Sequence, residues 1–410
     1  MFPDAGTPHP RIGLWVRRNG EDGADVTAYE CKLDRVRKAL SFVEPDRIPR
    51  FDLFWQEFID NWAEEKGLAP DANINEYYDL DLVLCVPNED PRVKSFTLIE
   101  RGSDYMIFKS GFGCTCRKAD YSPMPAYLDF ELKSADAYED FVFDDPNDER
   151  RYRERSANIL SSSGDAEAPS FVEQMKAAEG TFARMGLVLE GQEFMWRVRG
   201  MQDLFMDLML EEKKVKRMLE RVESFEIQVG LRQIQMGVDL MFIGGDVAYD
   251  KGMFYSPATW RNFFKPVLRT MCQEFKKAKP DIKLLYHGCG NASEVFDDLI
   301  ECGIDAYQPL EVKAGLDVVE LKKKYKNRLA FVGNIDVRDV LTGDKETLKR
   351  DVLRRLNAAK GGGYIPMSDH SVPPNVPVEN YDFYSELLAR YGTYPLQLGE
   401  HDIAELNNLC

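Results

Sequence analysis

From Ala183 onward, short apolar runs alternate with amphipathic stretches. The runs fall at 185–189, 238–243, 282–287, 304–307, 329–332 and 364–367. Between them lie helical patterns: Leu204, Leu208, Val215, Met218, Leu219 and Val222 recur on one face, Ser256-Pro257 reads as an N-cap with proline in the first turn, and Asp317 and Asp344 read as caps. Successive parallel strands need a crossover, so strand and helix in regular alternation call for a parallel sheet. With about eight such units, a closed (β/α)8 TIM barrel is the expected fold and an open doubly wound sheet the second choice.

The first half is less regular. Residues 1–27 are rich in Gly, Pro and Asp and read as an arm, with a single barrel domain over 28–410. A helix is expected from Thr27 to Val43, a first strand over Arg47 to Trp55 and a helix over Gln56 to Glu65. Residues 73–144, with β-like pieces at 81–86, 95–99 and 105–110, read as an elaboration, followed by a charged helix from Asp144 with Pro146 in its first turn.

Composition narrows the partners. A formal charge of −17 argues against nucleic acid and anionic membranes, which need clustered Lys and Arg. No apolar run reaches the ~18 residues of a membrane span, and the first residues have no signal-peptide core, so a cytoplasmic protein is expected. The eight cysteines are scattered and read as reduced thiols; Cys114-Thr115-Cys116 reads as part of a loop. No dinucleotide, P-loop or nucleophile-elbow motif is present.

A barrel of this kind carries its chemistry at the C-terminal strand ends. Asp52, Glu190, Asp246, His287, Cys289, Gln308, Asn334, Asp336, Ser368, Asp369 and His370 all fall there. His287 and Cys289 are two residues apart at the end of a strand and project from one face. Only four histidines occur, and His370 closes another strand. One thiolate with imidazoles is a zinc donor set, with His370 or Asp369 as the third ligand and an open position for a reacting atom. The alternative at the same residues is a hydrogen-bonded histidine beside a small buried thiol.

Several segments together resemble the uroporphyrinogen decarboxylase superfamily: Glu44 to Pro49; Gly244-Gly245-Asp246 leading to Ser256-Pro257; His287-Gly288-Cys289-Gly290-Asn291; Gly333-Asn334-Ile335-Asp336; and Pro373 to Asn380. The resemblance implies a (β/α)8 barrel. It is closer to the zinc-dependent, corrinoid-linked methyltransferases, which carry H-x-C, than to the decarboxylases, whose Arg-Gln-Ala-Gly-Arg run is replaced here by Arg50-Phe51-Asp52-Leu53-Phe54-Trp55. His370 stands where those methyltransferases have cysteine. The implied function is zinc-dependent transfer of a methyl group from a small substrate, such as an aryl methyl ether, to a corrinoid (cobalamin) on a separate protein, since the chain lacks the corrinoid-binding D-x-H-x-x-G segment. Zinc would sit on His287, Cys289 and His370, with Asp246 and Glu190 as catalytic carboxylates. Asp52, Phe54, Trp55, Gln308, Asn334 and Asp369 would contact substrate, and a homodimer is expected. The alternatives are a metal-independent lyase acting on a non-porphyrin carboxylate and a non-catalytic binding barrel.

Overall fold

The computed structural model describes residues 27–119, 122, 124–157 and 167–408. Residues 1–26, most of the expected arm, lie outside them. Seven strands lie side by side in chain order: Leu82–Leu84, Ala183–Leu189, Leu240–Gly244, Lys283–His287, Ala306–Gln308, Ala330–Ile335 and Tyr364–Ser368. Every pairing is parallel. Their residues are buried almost without interruption, as expected of strands covered on both faces.

The sheet curls, and an eighth, irregular segment lies between its edges. Arg50 O accepts from Asp81 N at 2.8 Å, Leu53 O accepts from Val372 N at 2.8 Å, and Trp55 N donates to Val372 O at 3.1 Å. The expected first strand is therefore extended but not a regular ladder; only Arg47 and Phe54 form isolated bridges. Pro49 has no N–H to give, and the Asp52 carboxylate takes the Leu53 N–H at 3.0 Å, which competes with strand pairing.

Helices follow the strands as the caps predict. Ser256 caps Pro257–Ala278, Asp317 caps Val318–Tyr325 and Asp344 caps Lys345–Leu356, each accepting from first-turn N–H groups. At the N-terminal end of the barrel, Thr27 opens the helix Ala28–Leu40 with a reciprocal Thr27/Glu30 capping box, and Ala39 O accepts from Gly363 N at the start of the last strand. That end is stitched by charge: Asp81, fully buried, accepts from Arg35 and Arg47 and from Arg50 N.

Three further expectations change. Thr115 and Cys116, expected in a loop, open the strand Thr115–Ala119. Leu82–Leu84, counted in the elaboration, is a barrel strand paired with Ala183–Leu189. The helix expected from Asp144 is only Arg150–Arg153, because Asp145 and Asp148 take the N–H groups of Asn147 and Arg150 in local turns. Between the first two barrel strands the chain forms a four-stranded antiparallel sheet, Phe96–Arg101, Tyr105–Ser110, Thr115–Ala119 and Ala126–Asp129. It packs through Tyr127 on Trp196, at 4.8 Å between ring centroids, against the helix that leaves the second strand. Among the described residues no helix is long and apolar enough to cross a membrane.

Candidate metal centre at the barrel mouth

The strand Lys283–His287 pairs with Leu240–Gly244 on one side and Ala306–Gln308 on the other, so His287 is opposite Gly244 and Gln308 at the C-terminal edge. Its ring stacks on Phe242, 5.1 Å away. Two residues on, the Cys289 sulfur lies 3.8 Å from His287 Nε2. Gly290 then turns with φ +76°; a side chain there would meet the Tyr249 backbone at 2.6 Å, so only glycine lets the two loops close up.

Cys289 belongs to two donor sets. With Asp246 and His287 it forms one group, with Glu311 and His370 another, and within each the ligand atoms lie no more than 4.8 Å apart. Asp246 Oδ1 is 3.7 Å from His287 Nε2 and accepts from Cys289 N at 2.8 Å. Glu311, 3% exposed, accepts from Gly290 N at 3.1 Å. Burial pushes the Cys289 thiol far up, and the Asp246 and Glu311 carboxylates push it further. Burial also holds the His370 imidazole below its ordinary value, which keeps it a neutral donor. The His370 ring stacks with Trp55 at 6.3 Å.

These residues fit a zinc ion. Tetrahedral zinc with bonds of about 2.1 and 2.3 Å sets sulfur and nitrogen about 3.6 Å apart, close to the Cys289–His287 separation. A thiol raised by burial and neighbouring carboxylates needs a cation to become a thiolate.

The other sequence candidates divide. Trp55, through its ring, reaches this group. Phe54 instead packs in an aromatic cluster with Phe58, Tyr78 and Tyr381. Gln308, 1% exposed, touches His287 rather than open space. Asn334 is fully buried, donates to Leu310 O and Leu316 O and accepts from Val318 N. Asp369 accepts from Val312 N and Val337 N, each at 2.9 Å and one on each oxygen, and burial raises its carboxyl to about 6. Asp369 stands in neither donor set, whereas His370 shares one with Cys289. Asp52 is buried against Ser368 and the Tyr381 hydroxyl, and burial lifts it to about 7. Glu190 caps the helix Gly191–Arg199 and stands outside both donor sets; burial lifts it to about 8.

The residue missed from the sequence is Glu311. It stands three positions past the strand Ala306–Gln308 and reaches Cys289 through the turn after Pro309 and Leu310. An acid so close to a strand end was the available signal.

The uroporphyrinogen decarboxylase (URO-D) family model matches residues 172–391, more than half of the 410-residue chain. The chain belongs to the uroporphyrinogen decarboxylase family. Among curated relatives, uroporphyrinogen decarboxylase of Trichodesmium erythraeum is 28% identical over 129 residues, 32% of this chain and 35% of the relative. That of Legionella pneumophila (strain Corby) is 27% identical over 178 residues, 43% of this chain and 48% of the relative. The chain thus spans about a third to a half of the length of the curated relatives it matches. Among solved structures, a methyltransferase from Methanosarcina mazei has the same fold: TM-score 0.62 at 14% identity, covering 90% of this chain and 99% of that one. This family member therefore has the fold expected from its strand–helix rhythm, with the H-x-C segment at the barrel mouth.

Proposed function

We propose that this protein is a zinc-dependent methyltransferase that moves a methyl group from a small methylated substrate to the cobalt of a corrinoid carried by a separate protein. The observation that carries the reading is the shared position of Cys289: one thiol with an imidazole 3.8 Å away and a second imidazole in its other donor set, at the mouth of a URO-D family barrel. His287, Cys289 and His370 would hold the ion, with Glu311 or Asp246 beside it. When bound, zinc supplies positive charge that neutralises a developing anion on the heteroatom losing the methyl group.

The chain's own residues do the rest. As zinc ligands the imidazoles of His287 and His370 would add no charge, so one thiolate would offset less of the ion's charge than two. Trp55, ring-stacked with His370, offers an apolar face to an aryl methyl ether. The likeness of the M. mazei methyltransferase in fold supports the reading.

The names of the curated relatives favour a second reading, decarboxylation. Its substrate is a polycarboxylate and calls for free cations. Arg47 instead pairs with Asp79 and Asp81, and Arg50 lies 3.6 Å from Asp79. The first-segment arginines are thus occupied at the opposite end of the barrel.

The deciding experiment measures metal per chain and methyl transfer to a corrinoid protein in wild type and Cys289→Ala. We expect close to one zinc in wild type, and loss of zinc and of transfer in the variant, with an unfolding midpoint close to that of metal-free wild type. Transfer that survives in Cys289→Ala, or turnover of a carboxylate by metal-free protein, would sink the proposal.

A further inference from the structure

The strand next to the H-x-C strand carries a fully enclosed amide. Gln308, 1% exposed, faces His287 across the parallel pairing, with Oε1 2.5 Å from His287 Nδ1. The other end of the amide is 3.6 Å from the Met367 sulfur. A thioether accepts weakly and donates nothing, so the NH2 group belongs against it and the carbonyl oxygen against the imidazole. A carbonyl oxygen can only accept. The proton of a neutral His287 must therefore sit on Nδ1, leaving the Nε2 lone pair directed at the side where Cys289 and Asp246 lie 3.8 and 3.7 Å away.

We propose that Gln308 is a positioning residue: it holds His287 in the Nδ1–H tautomer, so that Nε2 is preset as a metal-ligating lone pair before any ion arrives. The inference deepens the zinc reading and rests on it only for the purpose of the tautomer, not for the tautomer itself. Gln308 has no opening onto substrate, which removes it from the binding residues expected from the sequence.

The choice of an amide also has a consequence. Metal-bound histidines commonly donate their second N–H to a carboxylate or a backbone carbonyl. A carboxylate would add a negative charge behind the ligand and weaken the pull of the ion on a leaving group. The amide fixes the same ring orientation without that charge. Phe242 on the ring face and the backbone bond from Gly245 N to His287 O, 2.8 Å, restrain the ring and its strand further.

The test is a long-range 15N–1H correlation spectrum of the full chain, metal-free and labelled at its four histidines. The pH is set where the imidazole is neutral, and His287→Gln identifies the resonances. We expect His287 to show a protonated Nδ1 and a bare Nε2 in wild type, and to move toward the Nε2–H form in Gln308→Leu. Gln308→Glu, which restores an acceptor, should restore the wild-type tautomer. Zinc affinity by chelator competition should fall 10- to 100-fold in Gln308→Leu and recover in Gln308→Glu.

Nε2–H in the wild type, or an unmoved tautomer in a folded Gln308→Leu, overturns the proposal. If Gln308→Leu does not fold, the wild-type spectrum decides alone. Zinc that fails to bind wild-type protein counts against the methyltransferase reading, while the tautomer is still read from the same spectrum, so the two failures are separable.

Discussion

At the closed end of the barrel, Asp46, Asp79 and Asp81 meet Lys32, Arg35, Arg47 and Arg50, and every one of these side chains has an opposite charge within 4 Å. At the open end, Asp246, Glu311 and the Cys289 thiol crowd together, and Lys313 stands 3.6 Å from Glu311 at the rim. One fold thus carries a fully paired set of charges below and, above, an acid-rich set in which Glu311 has Lys313 and Asp246 has no Lys or Arg within 4 Å among the described residues. Buried pairing holds elements in place, whereas unneutralised donors are a standing cost that a bound cation removes. The first arrangement ties elements together; the second is one that a bound cation would stabilise.

The comparison breaks most directly at Asp81. Its carboxylate joins the helix Ala28–Leu40, through Arg35, to the irregular first segment, through Arg47 and Arg50 N. Asp81→Ala leaves cations buried with fewer partners and should cost roughly 3 kcal/mol in denaturant unfolding. Zinc stoichiometry in the folded variant should not change. At the other end, Asp246→Ala should alter stability by under about 1 kcal/mol, since it relieves like charge while losing a bond to Cys289 N. Equal costs at the two ends would erase the contrast.

A pH series sharpens it. Asp52 has no cation among its hydrogen-bond partners, and burial raises its carboxyl from 3.8 to about 7. The folded protein therefore holds that proton up to about pH 7, while the unfolded chain releases it near pH 4. Between those values the native state binds more protons, so stability falls as pH rises, by an amount on the order of 4 kcal/mol for this group alone. Asp52→Asn should flatten the urea midpoint measured between pH 5 and 7.5. Some slope must persist, because Glu190 and Asp369 are raised by the same cause. A midpoint that climbs from pH 5 to 7.5 in wild type would contradict the assignment.

Much of this layout was legible in the sequence, for identifiable reasons. His287 and Cys289 were readable because strand geometry puts i and i+2 on one face, and His370 because histidine is scarce. The strand–helix rhythm gave the barrel. Leu82–Leu84 reads as a β piece within 81–86 but is assigned to the elaboration, because a strand so short carries no sign of which sheet it joins; only its pairing with Ala183–Leu189 makes it a stave. Glu190, Asn334 and Asp369 were read as chemistry because they are polar at strand ends. The structure uses their side chains to satisfy backbone groups of the loops there: Glu190 takes Gln192 N, Asn334 bonds Leu310, Leu316 and Val318, and Asp369 bonds Val312 and Val337. A polar residue at a strand end and a polar residue facing the mouth look alike until the loop is folded.

The smallest predicted effect on zinc affinity lies between the two ends, in the tyrosines beneath the mouth. Tyr307 and Tyr286 are fully buried, and their hydroxyls donate to Gly288 O at 2.6 Å and Gly245 O at 3.0 Å, the carbonyls of the loops that carry Cys289 and Asp246. These bonds transmit the rigidity of the sheet to the donor atoms. Tyr307→Phe removes one and leaves a buried carbonyl unpaired, which should cost about 1 kcal/mol in unfolding. Its more telling effect is on the site: Gly288 lies between His287 and Cys289, so its freedom lets the two ligands drift from their 3.8 Å spacing. Zinc affinity in Tyr307→Phe should fall, by less than tenfold, while Tyr29→Phe, which loses a hydroxyl bond to Asp239 at the closed end, should show a similar stability cost with zinc affinity intact. If both variants weakened zinc equally, the loss would reflect general loosening of the barrel, and the mouth would not be separately braced. If only Tyr307→Phe did, the hydroxyl beneath the loop is part of what sets the donor geometry.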